Sequence, residues 1–145
     1  MTKVEELSVL EGFLKTKALK HSRKREEILD VFLNVDRHLT ADELYRLAKK
    51  KDPSIGFATV YRTLKLLSES GLAAELKFDD GVTRYEHMYA HKHHDHLVCT
   101  GCGRMVEVVD PAIEKLQERL FRKHAFHPQR HRMELYGICV RCKRR

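Results

Sequence analysis

Four cysteines stand in two identical pairs, Cys99-x-x-Cys102 and Cys139-x-x-Cys142, with 36 residues between them. Each pair can turn two thiolates toward one ion, and two pairs complete the tetrahedral set that Zn2+ prefers. That requirement constrains the fold: whatever lies between the pairs must bring the chain back on itself. Gly101 and Gly103 relieve the tight turn of the first pair. The rival reading is one or two redox dithiols. Redox pairs usually sit at a helix N-terminus after a strand, and neither pair reads that way in the sequence. Structural zinc at Cys99, Cys102, Cys139 and Cys142 is the expectation, stapling the C-terminal strand to its domain.

Helical periodicity fills the first half of the chain. Residues 4–17 place Val4, Leu7, Leu10 and Leu14 on one face, and Ser22 can cap a second helix at about 23–35 bearing Ile28, Val31, Phe32 and Val35. Thr40-Ala-Asp-Glu43 reads as a capping box for a helix at 41–50 that buries Leu44, Leu47 and Ala48. Pro53 and Gly56 interrupt, and a fourth helix over 57–70 buries Val60, Leu64 and Leu67 before Gly71 stops it. The period then shortens: LAAELKF and TRYEHM are strand-like runs joined through Asp79-Asp80-Gly81. Helices followed by a hairpin describe a winged helix-turn-helix, whose last helix enters the major groove. The bland alternative is any small helical domain with a β-hairpin.

Residues 88–95 (MYAHKHHD) are polar and read as a hinge. Beyond it, HLVCT and RMVEVV form two strands, Asp110-Pro111 opens a helix over 111–124, and RHRMELYG alternates like an edge strand. The fold class expected is α+β, with an N-terminal winged helix over 1–87, a hinge over 88–95 and a C-terminal α/β domain over 96–145.

The chain has 145 residues and a formal charge of +7, but the excess is uneven: residues 1–90 carry 16 Lys and Arg against 15 acids, and residues 91–145 carry 12 against 6. The C-terminal excess shrinks once four thiolates share one Zn2+. A more telling cluster is Lys15, Lys17, Lys20, Arg23, Lys24 and Arg25, uninterrupted by acids from Glu11 to Glu26. No apolar run approaches the roughly 20 residues of a membrane span, and the acidic start does not resemble a signal peptide. A bacterial cytoplasmic protein is expected.

Five of the ten histidines lie between residues 87 and 96. In extended backbone His93 and Asp95 face one way and His94 and His96 the other, so one segment can feed two metal sites. Imidazole with carboxylate suits Fe2+, Mn2+, Zn2+, Co2+ or Ni2+. A solvated His-rich hinge is the competing reading. No HExxH, GxSxG, P-loop or GxGxxG motif is present, so catalysis is not expected.

Three motifs, ATVYRTLKLLSESGL (58–72), HHDHLVCTGCG (93–103) and ELYGICVRC (134–142), stand in an order and spacing that resembles the ferric uptake regulator family of bacterial metal-responsive repressors. The likeness spans about residues 19–142. It implies a homodimer, capable of higher assembly, in which winged helices bind palindromic AT-rich operator DNA, C-terminal domains dimerise, and metal sits at the hinge. Carried over by position, it implies a regulatory site of His38, Glu86, His94, His96 and Glu107 and a second site of His93, Asp95, Glu114 and His131. His87 and His91 crowd the hinge and either could replace a ligand, whereas His21, His124 and His127 fit no site.

For DNA, Tyr61 and Arg62 match family positions that reach bases and backbone, Thr59 and Thr63 suit phosphate, and Lys20 matches a lysine placed toward an AT-rich minor groove. Peroxide-sensing relatives tend to carry Asp at the positions of Glu86 and Glu107; both are Glu here, which favours Fe2+ as co-repressor, with Mn2+, Co2+ or Zn2+ as substitutes. The alternatives are a peroxide, zinc, manganese or nickel sensor of the same family, or a metal buffer without a DNA role.

Overall fold

A computed structural model describes residues 3–35, 37–88 and 93–145, so part of the expected hinge, including His91, lies outside the described residues. The chain forms two compact units, residues 1–91 and 92–145. No helix of the described residues is long and apolar enough to cross a membrane.

Among the described residues the first unit contains four helices: α1 (Lys3–Thr16), α2 (Arg23–Leu33), α3 (Ala41–Lys51) and α4 (Phe57–Glu69). Of the side chains expected on the inner faces of α2, α3 and α4, Ile28, Phe32, Leu44, Ala48, Val60, Leu64 and Leu67 are buried, Val31, Val35 and Leu47 only pack partly buried against them, and Leu29, which was not expected, joins the core. Each buried Leu, Ile, Val or Phe side chain contributes about 2 kcal/mol by leaving water. The apolar stripe of α1 is narrower than its periodicity suggested. Leu10 and Leu14 are buried, but Val4 is 75% exposed, and the buried residue of that first turn is Glu6, at 2%.

Capping follows the sequence in part. The Ser22 hydroxyl accepts from Arg25 N (3.4 Å) and the Thr40 hydroxyl from Glu43 N (3.1 Å). The Glu43 carboxylate does not complete the box; it accepts from Arg37 Nη1 at 2.8 Å, a charged donor that outcompetes a neutral amide.

Strands β1 (Ala73–Lys77) and β2 (Thr83–His87) pair antiparallel, Ala73 opposite His87 and Lys77 opposite Thr83. Gly81 takes the turn at φ +77°, in the left-handed region. Asp80 accepts from Val82 N (3.0 Å) and holds the buried Arg84 through two guanidinium bonds of 3.2 and 2.8 Å. Leu39 adds a one-residue bridge to Tyr85, with N to O distances of 2.9 and 2.7 Å, so the segment before α3 is strapped to the hairpin. Three helices followed by this hairpin make a winged helix, with α1 as an addition before it.

The second unit is a three-stranded sheet ordered β4-β3-β5, built from β3 (Asp95–Cys99), β4 (Met105–Val108) and β5 (Glu134–Gly137). β3 pairs antiparallel with β4 and parallel with β5, the parallel return being made by α5 (Pro111–Lys123). Asp110 caps α5 by accepting from Ala112 N at 2.8 Å. A short helix, α6 (Val140–Lys143), ends the chain. It was not expected, and it corrects the reading of the cysteines: Cys139 is its N-cap, so the second pair does follow a strand into a helix. Burial in this unit is sparse. No residue of α5 is buried, and Leu116, Leu120, Phe126, Leu135 and Ile138 are each more than half exposed.

Candidate metal centres

The four cysteine sulfurs converge, with all pairs within 4.8 Å, and none is in a disulfide. Cys99 ends β3, Cys102 lies in the turn beyond it, Cys139 is the N-cap of α6 and Cys142 lies within that helix. The turn is pinned by Gly103 N donating to Cys99 O (2.9 Å), and Thr100 N donates across to Gly137 O (2.8 Å), bringing the two segments together. Gly103 has φ +74°. Gly101 is required for space: a Cβ there would meet Cys142 Sγ at 3.0 Å and Cys142 Cβ at 3.2 Å. The separation of Cys102 Sγ and Cys139 Sγ is 3.8 Å. Four sulfurs about 2.3 Å from a tetrahedral ion stand about 3.8 Å apart, so the group fits Zn2+.

The sulfurs compete for protons in a way that a cation would resolve. The backbone N–H of Cys139, donating to Cys99 Sγ at 3.3 Å, is the largest cause holding the Cys99 thiol down at about 6. Cys142 is pushed up to about 12, chiefly by its neighbour Cys139. A Cys99 thiolate stabilised by amides beside a Cys142 thiol that resists ionising is a site that a cation would complete.

A second group lies in the same unit. Glu114, on the first turn of α5, is bracketed by His93 Nε2 at 3.0 Å and His131 Nε2 at 3.1 Å, and the two rings are 4.3 Å apart. Three of the four residues expected for the second site therefore meet. Asp95 stands beside them, 3.5 Å from His93 Nε2, with its Oδ1 accepting from Met133 N (3.2 Å).

The residues expected for the regulatory site divide between the units. In the first, His38 Nε2 contacts Glu86 Oε2 at 2.7 Å, with both side chains largely buried. The Leu39–Tyr85 bridge places them, since His38 precedes one partner and Glu86 follows the other. In the second, His96 is opposite Glu107 in the β3–β4 ladder, so the two share a face. His94 Nε2 is 3.6 Å from Glu107 Oε1, and its ring meets that of His96 edge to face at 4.9 Å. Each unit thus carries imidazole with carboxylate. His87 instead packs edge-on against Phe32 at 6.0 Å and belongs to no metal-competent group among the described residues. His124 and His127 are exposed and likewise outside any such group.

On α4, Tyr61 and Arg62 are exposed, and Thr59 is half-buried. Lys65 lies over the Tyr61 ring, 5.4 Å from its centre, steadying it. Lys20 is exposed. Thr63 requires a correction: it is 1% exposed and its hydroxyl donates to Thr59 O at 2.7 Å, so it serves the helix and cannot reach a phosphate. The sequence also concealed Glu11, His21 and Glu26, whose side chains gather at the start of α2. Their spacings of ten and five residues match no motif.

The description "Ferric uptake regulator family" matches residues 16–136. The ferric uptake regulation protein of Bordetella parapertussis is 41% identical over 132 residues, covering 90% of this chain and 94% of that protein. The Helicobacter pylori ferric uptake regulator, described as having three functional metal binding sites, superposes with a TM-score of 0.86 at 31% identity, covering 99% of this chain and 95% of that one. A zinc-bound manganese uptake regulator superposes at 0.74 with 38% identity, over 91% of this chain and 99% of that one. The chain belongs to the ferric uptake regulator family, metal-responsive DNA-binding dimeric regulators of transcription rather than enzymes.

Proposed function

We propose that this protein is an Fe2+-dependent repressor of iron-uptake genes that binds palindromic, AT-rich operator DNA as a homodimer. The observation that carries the reading is the division of imidazole and carboxylate between the units. His38 and Glu86 pair at 2.7 Å in one, while His94, His96 and Glu107 cluster in the other. An ion engaging both groups fixes the winged helix relative to the dimerisation domain. A dimer reads two half-sites only when its recognition elements match their spacing, so metal selects the DNA-competent conformer. By linkage, operator DNA tightens metal binding by the same factor. Arg62 and Tyr61 supply contacts from α4, with Lys20 and Thr59 at the flank.

Four thiolates hold the structural Zn2+, fixing α6 against the β3–β4 turn. His93, Glu114 and His131, with Asp95 beside them, form the second site within the dimerisation domain. The homodimer is supported by the apolar surface of the second unit. A groove of about 290 Å3 lined by Leu97, Val106, Leu135 and Ile138 lies open, and a second copy of this surface would remove it from water.

The likeness to a manganese uptake regulator favours a second reading, Mn2+ as the regulatory ion on the same ligands. Anaerobic titration of Fe2+ into protein and operator DNA, with Mn2+ and Zn2+ in parallel and His94→Ala as control, separates the two. Tight binding driven by Fe2+ and lost in the variant is the expected result. Binding indifferent to metal would overturn the metal switch, and a response to Mn2+ or Zn2+ alone would overturn the iron assignment.

A further inference from the structure

α1 does not run straight into α2. It ends at Thr16, and the chain reverses through Ala18, which takes φ +54° while its N–H reaches Lys15 O at 3.1 Å and Leu19 N reaches Leu14 O at 2.9 Å. Arg25 Nη1 then ties the far side of the turn by donating to Lys20 O at 3.0 Å. This reversal returns His21 against α1. Its Nε2 contacts Glu26 Oε1 on the first turn of α2, and Glu11 on α1 supplies a second carboxylate. One ligand atom from each of the three lies within 4.8 Å of the others.

Charge makes this gathering informative. Two carboxylates held so close repel, and three cations of the same segments have other partners, whereas Lys15, four residues beyond Glu11, has no ion pair among the described residues. Lys17 pairs with Glu69 (3.6 Å), Arg23 with Glu27 (3.3 Å), and Lys24 donates to Ser54 O (3.2 Å). No hydrogen bond or ion pair to a described residue engages the Glu11 carboxylate. His21 therefore faces two acids, one of which it does not neutralise. Imidazole with two carboxylates, open to water on the remaining side, is a donor set for a first-row divalent ion.

We propose that Glu11, His21 and Glu26 form a further divalent-cation site that fastens α1 to α2. Glu11 lies before the family-matched residues 16–136, so the site draws on a part of the chain that the shared family pattern does not include. Occupancy clamps the turn that carries Lys17 and Lys20, making the basic end of the winged helix more rigid when metal is abundant.

The test uses the full-length, zinc-loaded protein with 15N labelling. Sub-stoichiometric Mn2+ broadens amides close to its site, and Zn2+ serves as the diamagnetic partner. The expected result is broadening centred on residues 10–12 and 20–27, with the His21 ring shifting under Zn2+. Both responses should vanish in Glu11→Gln while broadening around His131 persists. Because Glu11 is exposed, the rest of the Glu11→Gln spectrum should be unchanged, and metal bound per chain should fall by one. Responses retained in Glu11→Gln, or absent in the wild type with both ions, would overturn the site and leave His21 and Glu26 as a surface ion pair.

Discussion

Asp80 and Gly101 show how much a single position decides. Arg84 is buried in the wing and its charge is answered by Asp80, whose carboxyl is held below its ordinary value chiefly by that guanidinium. Removing one partner of such a pair strands the other, so Asp80→Asn should lower the unfolding free energy at pH 7 by about 3 kcal/mol. The pH dependence follows from the depressed value. The contribution is whole above the unfolded carboxyl's pKa of about 4 and is lost as pH falls through the lower folded value. Urea unfolding of wild type and Asp80→Asn should thus diverge at pH 7 and approach each other as pH falls below about 4. Gly101→Ala tests the cysteine site without touching a ligand. Its Cβ would press on Cys142 Sγ at 3.0 Å, so zinc affinity measured by chelator competition should fall about tenfold.

At the scale of elements, caps and straps place the chemistry. The Thr40 hydroxyl alone caps α3, because Glu43 has turned to Arg37, so Thr40→Ala should cost about 1 kcal/mol in thermal or chemical unfolding. The same segment carries His38 and the Leu39–Tyr85 bridge, which ties that histidine to β2 rather than to a free loop. Helix α4 divides its polar residues between two tasks. Thr63 turns inward to Thr59 O, while Tyr61 and Arg62 face out. Arg62→Ala should therefore weaken operator binding while zinc content and dimerisation stay intact, as read by fluorescence anisotropy and metal analysis. Unchanged operator affinity would remove Arg62 from the DNA surface.

On the scale of the whole molecule, the two units differ in how they hold together. The first has a buried core of helix and hairpin side chains, whereas the second leaves Leu116, Leu120 and Phe126 more than half exposed. A unit so poor in its own core would, on the proposed reading, gain stability from a second copy and from Zn2+ at its four cysteines. Leu120→Asp should shift the protein from dimer to monomer in sedimentation velocity at micromolar concentration. The same substitution should abolish tight binding to a palindromic operator, since a monomer reads one half-site.

The order of the helices, the hairpin, the cysteine pairs and the alternation of His93 and Asp95 with His94 and His96 could all be read along the chain. These are local: periodicity, caps, turn residues and close spacings all act within a few neighbours along the chain. Tertiary structure decided what depends on distant residues meeting. It buried Thr63, turned His87 toward Phe32, sent Glu43 to Arg37 and formed α6 at Cys139. It also assembled Glu11, His21 and Glu26 from α1, a turn and α2. Side chains choose partners by proximity in space, and a competing charge or a nearby apolar face, invisible in a linear pattern, settles each choice.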